Sequence, residues 1–165
     1  MIRSSQPAGD KSLFIRPFQD EDLAATAQIF FEAVHIGARD HYDEAQRHAW
    51  APALPEPVQW QQRLTSQTTL IAEQGNQIVG FMSLSRDGCI DLAFVTPDRI
   101  NSGVATQLYE AIVTEASTRG LTGLRTEASY LARNFFIRHG WQITKQQTVT
   151  RNGVALTNFA MEKQL

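Results

Sequence analysis

Cysteine is almost absent from this chain. The single Cys89 excludes an internal disulfide and any metal site built on several thiolates. Beside Gly88 it reads as a small, half-buried residue at a turn rather than a catalytic thiol. Histidine is scarce too, and His35, His41, His48 and His139 are too scattered for a metal site. No apolar run approaches the length of a bilayer span. No block of like charges occurs, and a net charge of −2 argues against a broad surface for nucleic acid or anionic lipid. The first eleven residues are polar and lack the apolar stretch of a secretory signal. A flexible tail is therefore expected at 1–11, followed by one domain over 12–165, in a cytoplasmic protein.

What is present suits that single domain. A length of 165 residues can enclose a substantial core, and 42% apolar against 19% charged residues is an ordinary globular balance. Leu13 to Pro17 reads as a first strand. Asp20 is a good N-cap for a helix with Leu23, Ala27, Phe30, Phe31 and Val34 on one face, fading near Gly37. Asp43 to Trp50 reads as a second helix, stopped by Pro52 and Pro55, and Val58 to Leu64 as a further turn or two.

The period then changes. Thr68 to Glu73 and Gln77 to Ser85 read as strands joined by a hairpin turn at Gly75-Asn76. Asp87-Gly88 signals a second tight turn into a strand at Ile90 to Thr96. A helix from about Gly103 to Arg119, a strand Gly123 to Glu127 and a helix from about Leu131 to His139 follow. That alternation makes the strands at 90–96 and 123–127 parallel neighbours. Gln142 to Thr150 and Ala155 to Met161 close the chain as a hairpin around Arg151-Asn152-Gly153. The expected fold is α/β (or α+β), a mixed, twisted sheet of about seven strands flanked by helices.

Ile90 to Tyr109 carries the most chemistry. A strand, a Pro-Asp turn and a loop of small residues lead into a helix, which leaves a row of backbone N–H groups at a helix start, an anion seat. Ser102, Gly103 and Ala105 allow a phosphate close to the backbone. Neither the dinucleotide Gly-x-Gly-x-x-Gly nor the Gly-x₄-Gly-Lys-Ser/Thr pattern is present. On these residues alone, cofactor binding and a plain turn remain equal readings.

A second block tips that balance. Glu127 to Trp141, together with Ile90 to Tyr109, resembles the GNAT superfamily of acetyl-CoA-dependent N-acetyltransferases. Val95, Pro97, Gly103 and Ala105 stand where that family has Val-x-Pro-x-x-Arg/Gln-x-x-Gly-x-Gly/Ala. Ala128, Ser129, Ala132, Phe135, Gly140 and Trp141 match its Ala-Ser-x-x-Ala-x-x-Phe-Tyr-x-x-x-Gly-Phe block. His41-Tyr42, Ala49-Trp50, Phe135-Phe136 and Thr157-Asn158-Phe159 look closest to its YafP-like branch. The resemblance implies a V-shaped splay between the strands at 90–96 and 123–127, with the pantetheine of acetyl-CoA in the gap and no metal. Cofactor contacts are then expected from Phe94, Val95, Arg99, Asn101, Ser102, Gly103, Val104, Ala105, Thr106, Ser129, Ala132, Phe135 and Phe136. An N–H near Phe94 or Val95 would polarise the thioester carbonyl.

Two departures from the family pattern matter. Ile100 stands in place of the usual Arg or Gln, with Arg99 one place earlier as a substitute. Phe136 stands in place of the Tyr thought to protonate the departing thiolate. With a thiol pKa of about 8.5, the thiolate is a tolerable leaving group without an acid; Tyr130 and Tyr42 are alternative donors. Glu127, ahead of Asp91, is the candidate base for the incoming amine, and either acid reads equally as a solvated strand-end charge. His41 and Tyr42 are candidates for the acceptor pocket. A small-molecule amine is the expected acceptor and a protein amine stays open, as does a homodimer. No nucleic-acid or membrane partner is expected. Two rivals remain: a CoA-binding sensor without turnover, and a helix-turn-helix-like nucleic-acid module, against which the acidic balance counts.

Overall fold

The computed structural model describes residues 12–165; the tail expected at 1–11 lies outside them. The strands are β1 (Leu13–Pro17), β2 (Thr68–Gln74), β3 (Gln77–Leu84), β4 (Cys89–Val95), β5 (Gly123–Ala128), β6 (Gln142–Arg151) and β7 (Val154–Gln164). The helices are α1 (Leu23–Glu32), α2 (Glu44–Trp50), α3 (Pro57–Thr65), α4 (Val104–Thr118) and α5 (Tyr130–Arg138). One seven-stranded sheet runs β1-β2-β3-β4-β5-β7-β6. Every neighbouring pair is antiparallel except β4 and β5, which are parallel. The mixed sheet and single α/β domain read from the sequence are both present.

Local chemistry explains most boundaries. The hairpin at Gly75 and Asn76 carries positive φ at both residues, 58° and 61°, as a two-residue turn between twisted strands requires. Asp43 starts α2 by accepting the Gln46 N–H at 2.8 Å, and the Gln46 side chain returns a bond to the Asp43 N–H. No side chain caps α1: Asp20 does not, and Asp22, at the N-cap position, makes no cap bond to the helix. Residues 20–22 form a separate tight turn, and Asp22 accepts the Gln19 N–H at 2.8 Å. Arg16 of β1 holds the Asp22 carboxylate in place, donating to it at 2.7 and 2.8 Å. Asp20 instead accepts from Gln61 of α3 at 3.1 Å.

The sheet buries apolar side chains on both faces. On one, Leu108 and Ile112 of α4 and Phe136 of α5 pack with Met82, Ile90, Leu124 and Phe159. On the other, Ile29 of α1 and Trp60 and Leu64 of α3 pack with Ile71, Phe81 and Leu92. Ile90 and Leu92 therefore face opposite ways although they are two residues apart. A β-bulge is responsible: Leu84 pairs with Ile90, but Ser83 pairs with Leu92, and Asp91 is the extra residue. The Leu92 N–H there donates to the Ser83 hydroxyl at 3.0 Å.

The bulge sits where β4 leaves β5. Their parallel pairing consists of Cys89 with Arg125 and Ile90 with Thr126, after which the strands part in a V. Below the V, β3, β4 and α4 converge on Gly80. A Cβ at Gly80 would lie 3.0 Å from Val95 Cγ1, 3.1 Å from the Phe94 carbonyl oxygen and 3.2 Å from Val104 Cγ1.

Candidate active site

The V leads to the loop between β4 and α4. After a tight turn at Pro97–Arg99, Asn101 and Gly103 take positive φ, 60° and 94°. Gly103 then caps α4 without a side-chain hydrogen bond. The N–H groups of Val104, Ala105 and Thr106 open the helix and have no helical carbonyl ahead of them. They point outward at the positive end of α4, where an anion is favoured. Asn101 tolerates its left-handed conformation better than most side chains, and Gly103 adopts it without a Cβ clash.

A cleft of about 230 Å³ lies against this loop. Of the residues expected at the cofactor, Phe94, Val95, Asn101, Gly103, Ala105, Thr106, Ser129, Ala132, Phe135 and Phe136 line it. Arg99, Ser102 and Val104 do not. The Val104 side chain is in the core, which leaves its N–H as the group that could meet an anion. The Ser102 N–H is engaged with the Arg99 carbonyl at 3.2 Å, and its hydroxyl donates to the same oxygen. The Arg99 guanidinium donates to Gln74 at 3.1 Å and to Asp98 at 3.4 Å. Those bonds keep it beside β2 rather than across the cleft.

A larger cavity of about 580 Å³ opens on the other side of the V. The two share Trp50, Ala93, Phe94, Ser129, Ala132 and Phe136, so they meet between β4 and β5. The larger one holds both candidate bases. Asp91 is occupied: Arg63 of α3 binds it with two bonds of 2.9 and 3.0 Å, and Gln67 donates at 2.7 Å. Burial alone would push the Asp91 carboxyl up, but the Arg63 and Gln67 bonds outweigh it and hold the group below the usual aspartate range. Glu127 is exposed on β5, and its carboxylate has no hydrogen bond or ion pair among the described residues. It is the freer acceptor for a proton.

The tyrosines are placed differently from each other. Tyr42 is 3% exposed and lines the larger cavity. Its hydroxyl donates to the Thr157 carbonyl at 2.7 Å and accepts the Tyr130 N–H at 3.1 Å. Burial pushes its pKa up. Tyr130 lines neither cavity; its ring sits 5.5 Å from Tyr42, 5.1 Å from Phe159 and 6.1 Å from His41. His41 is exposed and also lines neither. Ser129 caps α5 by accepting the Ala132 N–H at 3.2 Å. Phe136 is 1% exposed, with its ring 4.7 Å from Trp141.

Several lining residues escaped the sequence reading. Arg63 lines the larger cavity and, like Gln67 outside it, lies more than twenty positions before Asp91, with no local pattern to link them. Asn158 lines the larger cavity with a buried carboxamide oxygen that has no partner among the described residues. Asn134 and Arg138 line the smaller one from α5; their spacing of four residues was the available signal.

Residues 38–163 match the family described as Acetyltransferase (GNAT) domain. The chain belongs to the GNAT acetyltransferase family. This GNAT chain is 35% identical over 147 residues to the uncharacterized N-acetyltransferase YafP of Escherichia coli strain K12, covering 89% of this chain and 93% of that protein. A crystal structure from Rhodopseudomonas palustris, described as a GCN5-related N-acetyltransferase (aminotransferase, class-II), superposes with a TM-score of 0.89. It is 36% identical, covering 94% of this chain and 98% of that one. The putative acetyltransferase yncA of Salmonella typhimurium, solved with its cofactor acetyl-CoA, shares the fold at a TM-score of 0.68 and 19% identity, covering 93% and 94% of the two chains. Among the described residues of this GNAT domain, no group of three His, Cys, Asp or Glu side chains could hold a metal ion. Nor, among the described residues, is any helix long and apolar enough to cross a membrane.

Proposed function

We propose that this acetyltransferase passes an acetyl group from acetyl-CoA to a primary amine by direct attack in a ternary complex. One observation carries the reading: β4 and β5 pair at only two positions and then part, joining an amide-lined cleft to a cavity that holds a free carboxylate. The N–H groups opening α4 suit the diphosphate of CoA. The edge of β4 freed by the splay suits the amides of pantetheine, as an unpaired strand edge takes up an extended partner. The N–H of Val95 is on that edge, since those of Phe94 and Thr96 turn toward β3, and it is the donor for the thioester oxygen, a contact worth about 3 kcal/mol in the transition state.

Glu127 then receives, directly or through water, the proton that the amine must lose. The amine nitrogen bonds to the thioester carbon and the C–S bond breaks. The thiolate leaves without help from position 136, because Phe136 has no proton to give. Cavity volume favours a small-molecule acceptor over a folded protein surface, since about 300–1,000 Å³ is typical of small-molecule sites.

The buried ring of Phe136 favours a second reading, a CoA-binding sensor without turnover. Thiol release measured with acetyl-CoA against a panel of amines separates the two. Amine-dependent release supports transfer. Tight uptake by calorimetry with no release for any amine, peptides included, supports the sensor. No uptake at all overturns both.

A further inference from the structure

We infer that Arg138 is the side-chain anchor for the diphosphate of CoA, taking over from α5 the role that neither Ile100 nor Arg99 can fill. The inference rests on the acetyl-CoA reading above and deepens it.

A diphosphate carries at least two negative charges, and the amides at the start of α4 offer only partial positive charge. A guanidinium nearby adds a full charge and two parallel donors. Ile100 has no donor, and its side chain is directed at Gly37, where Cδ1 lies 3.6 Å from the position of a Cβ. Arg99 is held by Gln74 and Asp98, outside the cleft. Arg138 is the one charged side chain among the described residues that line the cleft. It lines the same space as Asn101, Gly103, Ala105 and Thr106. It is exposed, and no carboxylate among the described residues pairs with it. Asn134, one turn earlier on α5, lines the cleft with it and offers a further amide donor.

A plain structural role also exists for Arg138, because a cation in the last turn complements the helix dipole. The experiment separates the two by truncating the donor rather than the enzyme. Steady-state kinetics are measured for the wild type, Arg138→Gln and Arg138→Lys with acetyl-CoA, acetyl-dephospho-CoA and acetyl-pantetheine. Arg138→Gln is expected to raise KM about tenfold for the two diphosphate-bearing donors with kcat unchanged, a loss of about 1.4 kcal/mol. KM for acetyl-pantetheine stays at the wild-type value. Arg138→Lys, which keeps the charge but loses the planar pair of donors, falls between.

An unchanged KM for acetyl-CoA in Arg138→Gln overturns the inference. So does an equal rise for all three donors, the mark of a loosened helix. An effect seen with acetyl-CoA but absent with acetyl-dephospho-CoA moves Arg138 to the 3′-phosphate and overturns the diphosphate assignment. A wild-type protein that takes up no acetyl-CoA by calorimetry overturns the acetyl-transfer reading itself, and this inference with it.

Discussion

The Thr126 hydroxyl donates to the Ile90 carbonyl at 2.7 Å, across the last parallel pair before β4 and β5 diverge. The bond is buried and marks the vertex of the V. It holds the strands together at the point where backbone pairing stops.

Thr126→Val keeps the shape and removes the bond. The Ile90 carbonyl loses a buried donor, at a cost of about 1 kcal/mol. Urea denaturation should show that loss as a lower midpoint with an unchanged slope. KM for acetyl-CoA should rise as well, because the vertex sets the width of the gap. Loss of stability with an unaltered KM would detach the bond from the site.

Glu127→Gln tests the base. Its isosteric amide cannot accept the proton of the amine, and general-base catalysis is worth about 100-fold or more. kcat should therefore fall about 100-fold while acetyl-CoA uptake by calorimetry is unchanged. Asp91→Asn, which breaks a carboxylate already bound by Arg63 and Gln67, should cost less in kcat than Glu127→Gln. A reversed order would transfer the role to Asp91.

Tyr42→Phe removes one hydroxyl and two bonds, those to the Thr157 carbonyl and from the Tyr130 N–H. Both partners are then underserved, and the loss of stability should be about 2 kcal/mol. Thermal denaturation checks it. With acetyl-CoA saturating, kcat should stay within about twofold of wild type, because the hydroxyl's bonds are spent on the backbone.

Asp22 gives the fold a pH dependence. The bonds from Arg16 hold its carboxyl below the ordinary aspartate range, and the Gln19 N–H assists, against the opposing effect of burial. The folded state thus favours the ionised form. Its contribution is fully present above the unfolded value, about pH 4, and is lost as pH falls through the lower folded value. Wild-type protein should lose stability over that acid range. Asp22→Asn should be about 2 kcal/mol less stable at pH 7 and should lack that part of the acid slope. Parallel pH profiles for the two proteins would refute the assignment.

Much of this architecture was legible in advance, and the legible parts share a cause. Pro17 ends β1 where the strand reading ended it, and Gly75-Asn76 can do little else but turn. Parallel β4 and β5 followed from the helix between them. Most of the cleft was readable too, because its small residues and amides follow one another along the chain.

Long-range features were not. Cys89 to Leu92 looks like plain alternation, and nothing local says that Asp91 is looped out so that Ile90 and Leu92 serve opposite cores. The partners of Asp91 arrive from α3. Asp20 was a sound cap by type, but Gln61 of α3 takes its carboxylate and α1 starts without a side-chain cap. Arg99 was adjacent in sequence to the missing donor position, yet Gln74 of β2 draws it away. In each case a side chain more than two residues distant decides between two locally equal choices.

Position 80 has a consequence for how this enzyme could diversify. The bare backbone there is a contact point for three elements: the strand that carries it, the end of β4 at Phe94 and Val95, and Val104, the first residue of α4. A single methyl group would meet Val95 at 3.0 Å, the Phe94 carbonyl at 3.1 Å and Val104 at 3.2 Å, and would wedge β4 and α4 apart from beneath. Related sequences that recruit bulkier acyl donors should therefore vary the walls of the gap while leaving this floor tile untouched.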